Sequence, residues 1–204
     1  MKYIFIILFF LCFNNSCSSQ SNHNDFLGEL ISDYVKTKYP NNQLDNFIYI
    51  GIKRQKLYLF KFSNIIKLYD ISSSINGAGN ELGSFKTPTG KHRVHEMIGK
   101  DAPLGTLFIN KKNTHRKVPI DSINYEFKKD EITTRIMSLM GMELNLNKGK
   151  NKDTYKRGIY IHGTSNEKSI GLPSSHGCIR MRNKEVVDLF NRVEKGTLVF
   201  LFDN

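Results

Sequence analysis

Short apolar runs, broken at close intervals by turn formers, constrain this chain more than any other feature. NFIYIGI at 46–52, KLYLFKF at 56–62 and IIKLYDISSSI at 65–75 follow one another. Each is too short for a stable helix and rich in the β-branched and aromatic residues that suit a pleated surface. KRQ at 53–55 reads as a turn between antiparallel strands. Leu68, Asp70 and Ser72 alternate with Tyr69 and Ile71, the two-residue period of a half-buried strand. RGIYIHG at 157–163 reads as a strand ending in a histidine, and TLVFLF at 197–202 as a terminal strand. Only two stretches carry helical spacing. The first, 24–40, places Leu27, Leu30, Ile31, Tyr34 and Val35 three and four apart, with Asn24 or Asp25 as cap and Pro40 as terminator. The second, 183–196, has Asn183 as cap, Val186, Leu189, Phe190 and Val193 as its buried face, and Gly196 to close it. Many strands and few helices predict a mainly β fold, a sandwich or barrel of mixed strands with flanking helices.

Two segments fit this frame less simply. Residues 76–90, NGAGNELGSFKTPTG, are rich in glycine, but no strand-to-helix fingerprint follows, which argues against a dinucleotide site. Residues 111–157 are polar around ITTRIMSLMGMEL at 132–144, and part of them is expected to run as an excursion over the surface.

The chain has 204 residues, enough for one domain behind a short leader. Lys2, an apolar run at 3–13 and the small polar residues after it form a signal-peptide pattern over 1–17. Residues 18–24 read as a linker before the first helix. Cleavage just before Cys17 would let that thiol carry a lipid and attach the protein to a membrane; the alternative is simple secretion. Both place the chain in the periplasm or cell envelope. The formal net charge is +11, without any helix-turn-helix, zinc-finger or RNP pattern. The charge therefore suits an anionic envelope polymer better than nucleic acid.

Export makes the cysteines informative. Cys12 leaves with the leader, and Cys17 is removed, lipidated or held in a loose tail, so Cys178 is the one thiol of the folded body. A leftover cysteine in an exported protein marks a reactive thiol. It lies in PSSHGCIRM, 173–181. A thiol attacks carbonyls as thiolate, so it needs a base or cation nearby and donors aimed at the developing oxyanion. Gly177 allows a tight turn before the nucleophile. On extended backbone His176 would share a face with Cys178, while His162 ends its strand at Gly163. Two imidazoles can thus converge on one thiol, and the residues leave open which is the base. Competing readings are a His–His–Cys zinc site, a buried structural thiol and a disulfide to Cys17. His23, His92, His95 and His115 have no pattern around them and read as surface residues.

IYIHGT at 159–164 and SHGCIR opening at Ser175, with twelve residues between His162 and Ser175, together resemble the L,D-transpeptidase catalytic domain, the YkuD family. SFKTPTGKHRV at 84–94 matches its TPxG stretch, and APLGTLF and ITTRIMSLMGMEL resemble one bacterial subgroup. The resemblance assigns 45–204 as the catalytic domain. It implies a β-sandwich-like fold and peptidoglycan stem peptides as partners, without metal or cofactor. It implies Cys178 as nucleophile and His162 as base, oriented by a carbonyl near Gly163. Ser175, His176, Gly177 and Arg180 then shape the pocket, with the Gly177 and Cys178 N–H groups near the oxyanion. Arg180 departs from the asparagine of other members. With water as acceptor the same site would be an L,D-carboxypeptidase. The rivals are a cysteine peptidase of ordinary peptides and a non-catalytic envelope-binding protein.

Overall fold

The computed structural model describes residues 18–121 and 131–204, so the leader pattern and Cys17 lie outside the described residues. Helix α1, Ser18–Lys38, is followed by strands β1 (Asn46–Gly51), β2 (Lys56–Lys61), β3 (Asn64–Asp70), β4 (Gly90–Ile98), β5 (Thr106–Ile109), β6 (Lys112–Lys117), β7 (Ile132–Gly141), β8 (Tyr160–Gly163) and β9 (Ile179–Met181). Helix α2, Asn183–Arg192, and strand β10, Leu198–Phe202, complete the order. The strands form one branched sheet in the order β3-β2-β1-β10-β4-β7-β5-β6, with β8 added to β7 and β9 to β8. It is mixed: β1 pairs with β10 and β8 with β9 in parallel, and the other pairings are antiparallel. The fold is mainly β with flanking helices, as the strand spacing predicts.

Strands β1, β2 and β10 are buried on both faces, which is why their sequences are almost continuously apolar. Ile48, Ile50, Leu57, Leu59, Val199 and Leu201 face a core shared with β7, β8, β9 and α2. Phe47, Tyr49, Tyr58, Phe60, Phe200 and Phe202 face the other way, against Ile31, Val35 and Tyr39 at the C-terminal end of α1. Phe47 stacks on Phe60 with ring centroids 4.5 Å apart. Leu27, Ile31, Val35 and Tyr39, four apart, form the docked stripe. Leu30 and Tyr34 sit beside it and stay exposed. The helix begins at Ser18, inside the stretch expected as linker.

The polar middle of the chain divides in two. ITTRIMSLMG is β7, the strand at which the sheet branches, with Ile136, Met137 and Leu139 fully buried. Its polar members Thr133, Thr134, Arg135 and Ser138 are buried too. The part that runs over the surface includes β6, mostly exposed on the sheet's edge.

Two buried polar residues were also misread. Asn183 does not cap α2; Arg182 holds the N-cap position, and Asn183 is 1% exposed in the first turn. Its Oδ1 accepts from the hydroxyls of Thr133 (2.7 Å) and Thr134, and its Nδ2 donates to Thr164 O (2.7 Å) and Glu167 Oε1 (2.8 Å). One amide thereby ties α2 to β7 and to the loop leaving β8, while Glu167 accepts the helix-end N–H of Asn183 at 2.7 Å. His92 is not a surface residue but wholly buried on β4, its Nδ1 3.0 Å from Gly90 O and its Nε2 3.0 Å from Thr154 Oγ1. Burial holds its pKa down at about 4, so the ring is neutral at pH 7. His95 is half-buried and edge-on to Tyr155, and His115 is exposed as expected.

Asn183→Ala strands two hydroxyls, a carbonyl and a carboxylate, so chemical denaturation should show a loss of about 3 kcal/mol. Asn46→Ala, which removes an exposed contact to Arg192 O, should cost about 0.5 kcal/mol or less. His92 binds its proton more weakly folded than unfolded, so its contribution to stability is complete above about pH 6.5 and falls as pH drops toward 4. Denaturation midpoints measured from pH 7 to 4 should therefore fall less steeply in His92→Gln than in the parent.

Candidate active site

Strands β8 and β9 bring the sequence-predicted residues together. Their parallel register sets Ile161 beside Ile179, His162 beside Arg180 and Gly163 beside Met181. Side chains alternate along a strand, so Ile161, Ile179 and Met181 enter the core while His162 and Arg180 share the opposite face. Cys178, two residues before Arg180, continues that face. His162 is fully buried, and its Nδ1 lies 2.7 Å from Gly163 O. A carbonyl can only accept, so Nδ1 carries the proton and Nε2 is the basic nitrogen. Gly163 can bear no side chain: a Cβ there would lie 2.6 Å from Asn183 Oδ1 and 2.9 Å from Thr133 O.

The turn before Cys178 is clamped from several sides. Ser175 Oγ donates to Cys178 O (2.6 Å) and accepts from Gly177 N–H (3.1 Å). Gly177 has φ of 123°, and a Cβ would meet Ile159 Cδ1 at 3.0 Å and Lys86 O at 3.2 Å. Its carbonyl accepts from Thr87 Oγ1 at 3.1 Å, and Thr87 Oγ1 in turn accepts from Ser74 N–H at 2.9 Å. The TPTG stretch thus holds the turn before Cys178 from beneath. Cys178 is partly exposed, with Sγ 3.5 Å from Gly158 O.

Two expectations for this turn need revision. The Gly177 N–H is committed to Ser175, so it is not aimed at an oxyanion. The backbone at Gly177 is not extended, so the alternation that would put His176 and Cys178 on one face is broken. His176 is exposed, its ring edge-on to Phe85 with centroids 6.2 Å apart. Of the two imidazoles, His162 is the buried one on the strand beside Cys178. Arg180, 6% exposed, exchanges backbone hydrogen bonds of 2.9 Å with Ser72 and reaches Ser174 Oγ at 3.2 Å. It fastens the loop that leads to the cysteine.

Two neighbours of the thiol were read only as strand residues. Arg157 donates to Gly79 O (3.1 Å) and Lys86 O (2.5 Å), and its half-buried guanidinium interacts electrostatically with Cys178. A cation held there favours thiolate over thiol. Burial pushes the Tyr160 phenol up, Lys111 opposes that, and Cys178 adds to it. A charged residue opening an otherwise apolar strand was the available signal for Arg157. Among the described residues no group of three or more His, Cys, Asp or Glu is gathered as for a metal ion.

The model of the L,D-transpeptidase catalytic domain matches residues 45–201. YqjB of Bacillus subtilis, named for L,D-transpeptidase activity, is 49% identical over 53 residues, 26% of this chain and 30% of that protein. YcfS of Escherichia coli K12, named likewise, is 24% identical over 174 residues, 84% of this chain and 48% of that protein. The chain thus spans less than half of each of these relatives. An L,D-transpeptidase from Xylanimonas cellulosilytica superposes with a TM-score of 0.50 at 18% identity, covering 80% of this chain and 63% of that one, a likeness of fold. The matched segment runs from just before β1 into β10 and includes Cys178 and His162, and the chain belongs to the L,D-transpeptidase catalytic-domain family.

Proposed function

We propose that the protein is a peptidoglycan L,D-transpeptidase that works through a thioester on Cys178. The observation that carries this reading is the arrangement of β8 and β9, with Cys178 on the face of a buried His162 whose Nδ1 is held by Gly163 O. His162 Nε2 takes the thiol proton, and Arg157 favours the thiolate. The sulfur attacks the carbonyl of the third residue of a stem tetrapeptide. With Gly177 N–H engaged, the N–H of Cys178 itself is the backbone donor assigned to the oxyanion. The tetrahedral intermediate collapses, the C–N bond to the terminal D-Ala breaks, and imidazolium protonates the departing amine. An amine from a second stem then attacks the thioester and yields its proton to His162. The cross-link amide forms as the thiol is released. Water in place of that amine would give carboxypeptidase action at the same site.

An envelope location follows from this substrate. The leader pattern at 1–17 would supply export, and a lipid on Cys17 would supply an anchor. The net charge of +11 draws the protein toward an anionic wall.

Purified protein incubated with disaccharide tetrapeptide should release D-Ala and give cross-linked dimers by mass spectrometry. Tripeptide alone would mean carboxypeptidase action, and cleavage of ordinary L-peptides at comparable rates would overturn the reading. Cys178→Ser should fold normally and release no D-Ala. His162→Ala should slow turnover by roughly 10²–10⁴-fold, the usual worth of a general acid–base group. It should also shift the pH profile of Cys178 alkylation. A shift confined to His176→Ala would move the base to that residue.

A further inference from the structure

Helix α1 and the β2–β3 hairpin share an exposed apolar surface. Phe26, Leu30, Phe62, Ile66 and Leu68 are each between 41% and 62% exposed. The helix crosses the hairpin at Gly28, where a Cβ would lie 3.2 Å from Ser63 O and 3.4 Å from Ile65 Cγ1. On the same flank Ser32 Oγ and Lys36 Nζ donate to Ser63 Oγ at 3.3 and 3.1 Å. Phe26 and Leu30, four apart and two residues either side of Gly28, form one apolar ridge. Phe62 stands at the hairpin tip, next to Ser63. Leu68 pairs with Tyr58, whose side chain belongs to the α1 cluster, so Leu68 stands on α1's side of the sheet.

Two features bear on what this surface meets. Phe62 opens the two-residue turn Phe62–Ser63 with φ of 55°, a position that suits glycine. A bulky residue at positive φ is an outlier, and an outlier that is also exposed points to a use for the side chain. Strand β3 ends the sheet order, where a further strand could add. The β2–β3 register, however, slips at Leu59/Phe60: Lys67 pairs with Leu59 and Ile65 with Phe60, which leaves Ile66 as an extra residue. Such a bulge blunts an edge against strand pairing, so another strand is a poor occupant.

The start of α1 names a better one. The helix begins at Ser18, the residue after Cys17, and the apolar run 3–13 lies just upstream. Nine helical residues from Cys17 to Phe26 span about 14 Å. A lipid on Cys17, or the apolar run itself, therefore brings the Phe26 turn to a bilayer surface. Among the described residues no helix is long and apolar enough to cross a membrane, and α1 also exposes Glu29 and Asp33. It can lie against a bilayer but does not span one.

We propose that Phe26, Leu30 and Phe62, with Ile66 and Leu68 beside them, form a surface that docks on a lipid bilayer. The domain is then held against the membrane as well as tethered to it. The Cys178–His162 face stays open, because the core of Ile48, Ile161 and Ile179 lies between it and the α1 layer. The contact is apolar, so it does not depend on anionic lipid or low salt.

The chain has no tryptophan, so a single introduced indole reports one position. Phe26→Trp, Leu30→Trp and Phe62→Trp are compared in the full chain with Ile109→Trp, which is 54% exposed near the other end of the sheet. The probe is a vesicle of phosphatidylethanolamine and phosphatidylglycerol. On adding vesicles, emission from positions 26, 30 and 62 should move to shorter wavelength and be quenched by lipids brominated on the acyl chains. High salt should leave both effects unchanged, and position 109 should show neither. Vesicle-bound protein without quenching at 26 and 62, or with equal quenching at 109, overturns the docking surface. Protein that stays in solution, or quenching lost at high salt, overturns it as well. A blue shift that appears without lipid and grows with protein concentration assigns the face to a second copy instead.

Discussion

The parallel pairing of β8 with β9 is the constraint on which the site depends. Parallel neighbours need a long crossover, commonly a helix. Here the connection is the loop 164–178, with a single 3-10 turn in it, Glu167–Ser169. A loop of that kind must have its backbone groups satisfied elsewhere. The buried run Ser72 to Ser74, directly after β3, does this. Gly171 N–H donates to Ile71 O, Ser174 and Ser175 N–H to Ser73 O, and Ile75 N–H to Ser175 O, all within 2.9–3.1 Å. The serine run works as a template that lays the crossover down in one path and delivers Cys178 to β9. Gly163 and Asn183 fix the other end, where only a missing side chain lets α2 and β7 close on β8.

This scaffold also sets the electrostatics of the thiol. His162 and Arg157 reach the Cys178 face from opposite ends of one strand and its approach. Backbone carbonyls orient both: Gly163 O holds the imidazole, and Gly79 O and Lys86 O hold the guanidinium. An imidazole and a guanidinium placed by main chain need little reorganisation when charge develops beside them, which is where electrostatic stabilisation is strongest. Arg157 also ties the glycine-rich segment 76–90 to the neighbourhood of Cys178.

Much of the frame was legible because periodicity reports burial. The apolar runs of β1, β2 and β10 and the alternation along β3 announced strands, and HGC beside a histidine-ending strand pointed to Cys178 and His162 as neighbours. What stayed hidden was polar and buried. ITTRIMSLMG read only as an apolar stretch in a polar segment, not as the strand where the sheet branches, because four of its residues carry hydroxyls or charge, and those groups find partners within the fold. Asn183 looked like a cap because caps and buried hubs use the same amide, and only tertiary contacts separate them. His92 gave no signal, since its partners are a carbonyl two residues away and a distant threonine. The placement of His176 on one face with Cys178 assumed extended backbone, and the φ of Gly177, which residue types alone do not state, breaks it.

The central claim is that Cys178 becomes covalently acylated by the stem peptide. Acid-quenched intact-mass measurement during turnover of a disaccharide tetrapeptide tests it most directly. A single adduct with the mass of the disaccharide tripeptide acyl group, mapped to Cys178 and lost on adding acceptor, is the predicted result. Release of D-Ala with no adduct at any quench time, or an adduct that maps to another residue, would contradict it.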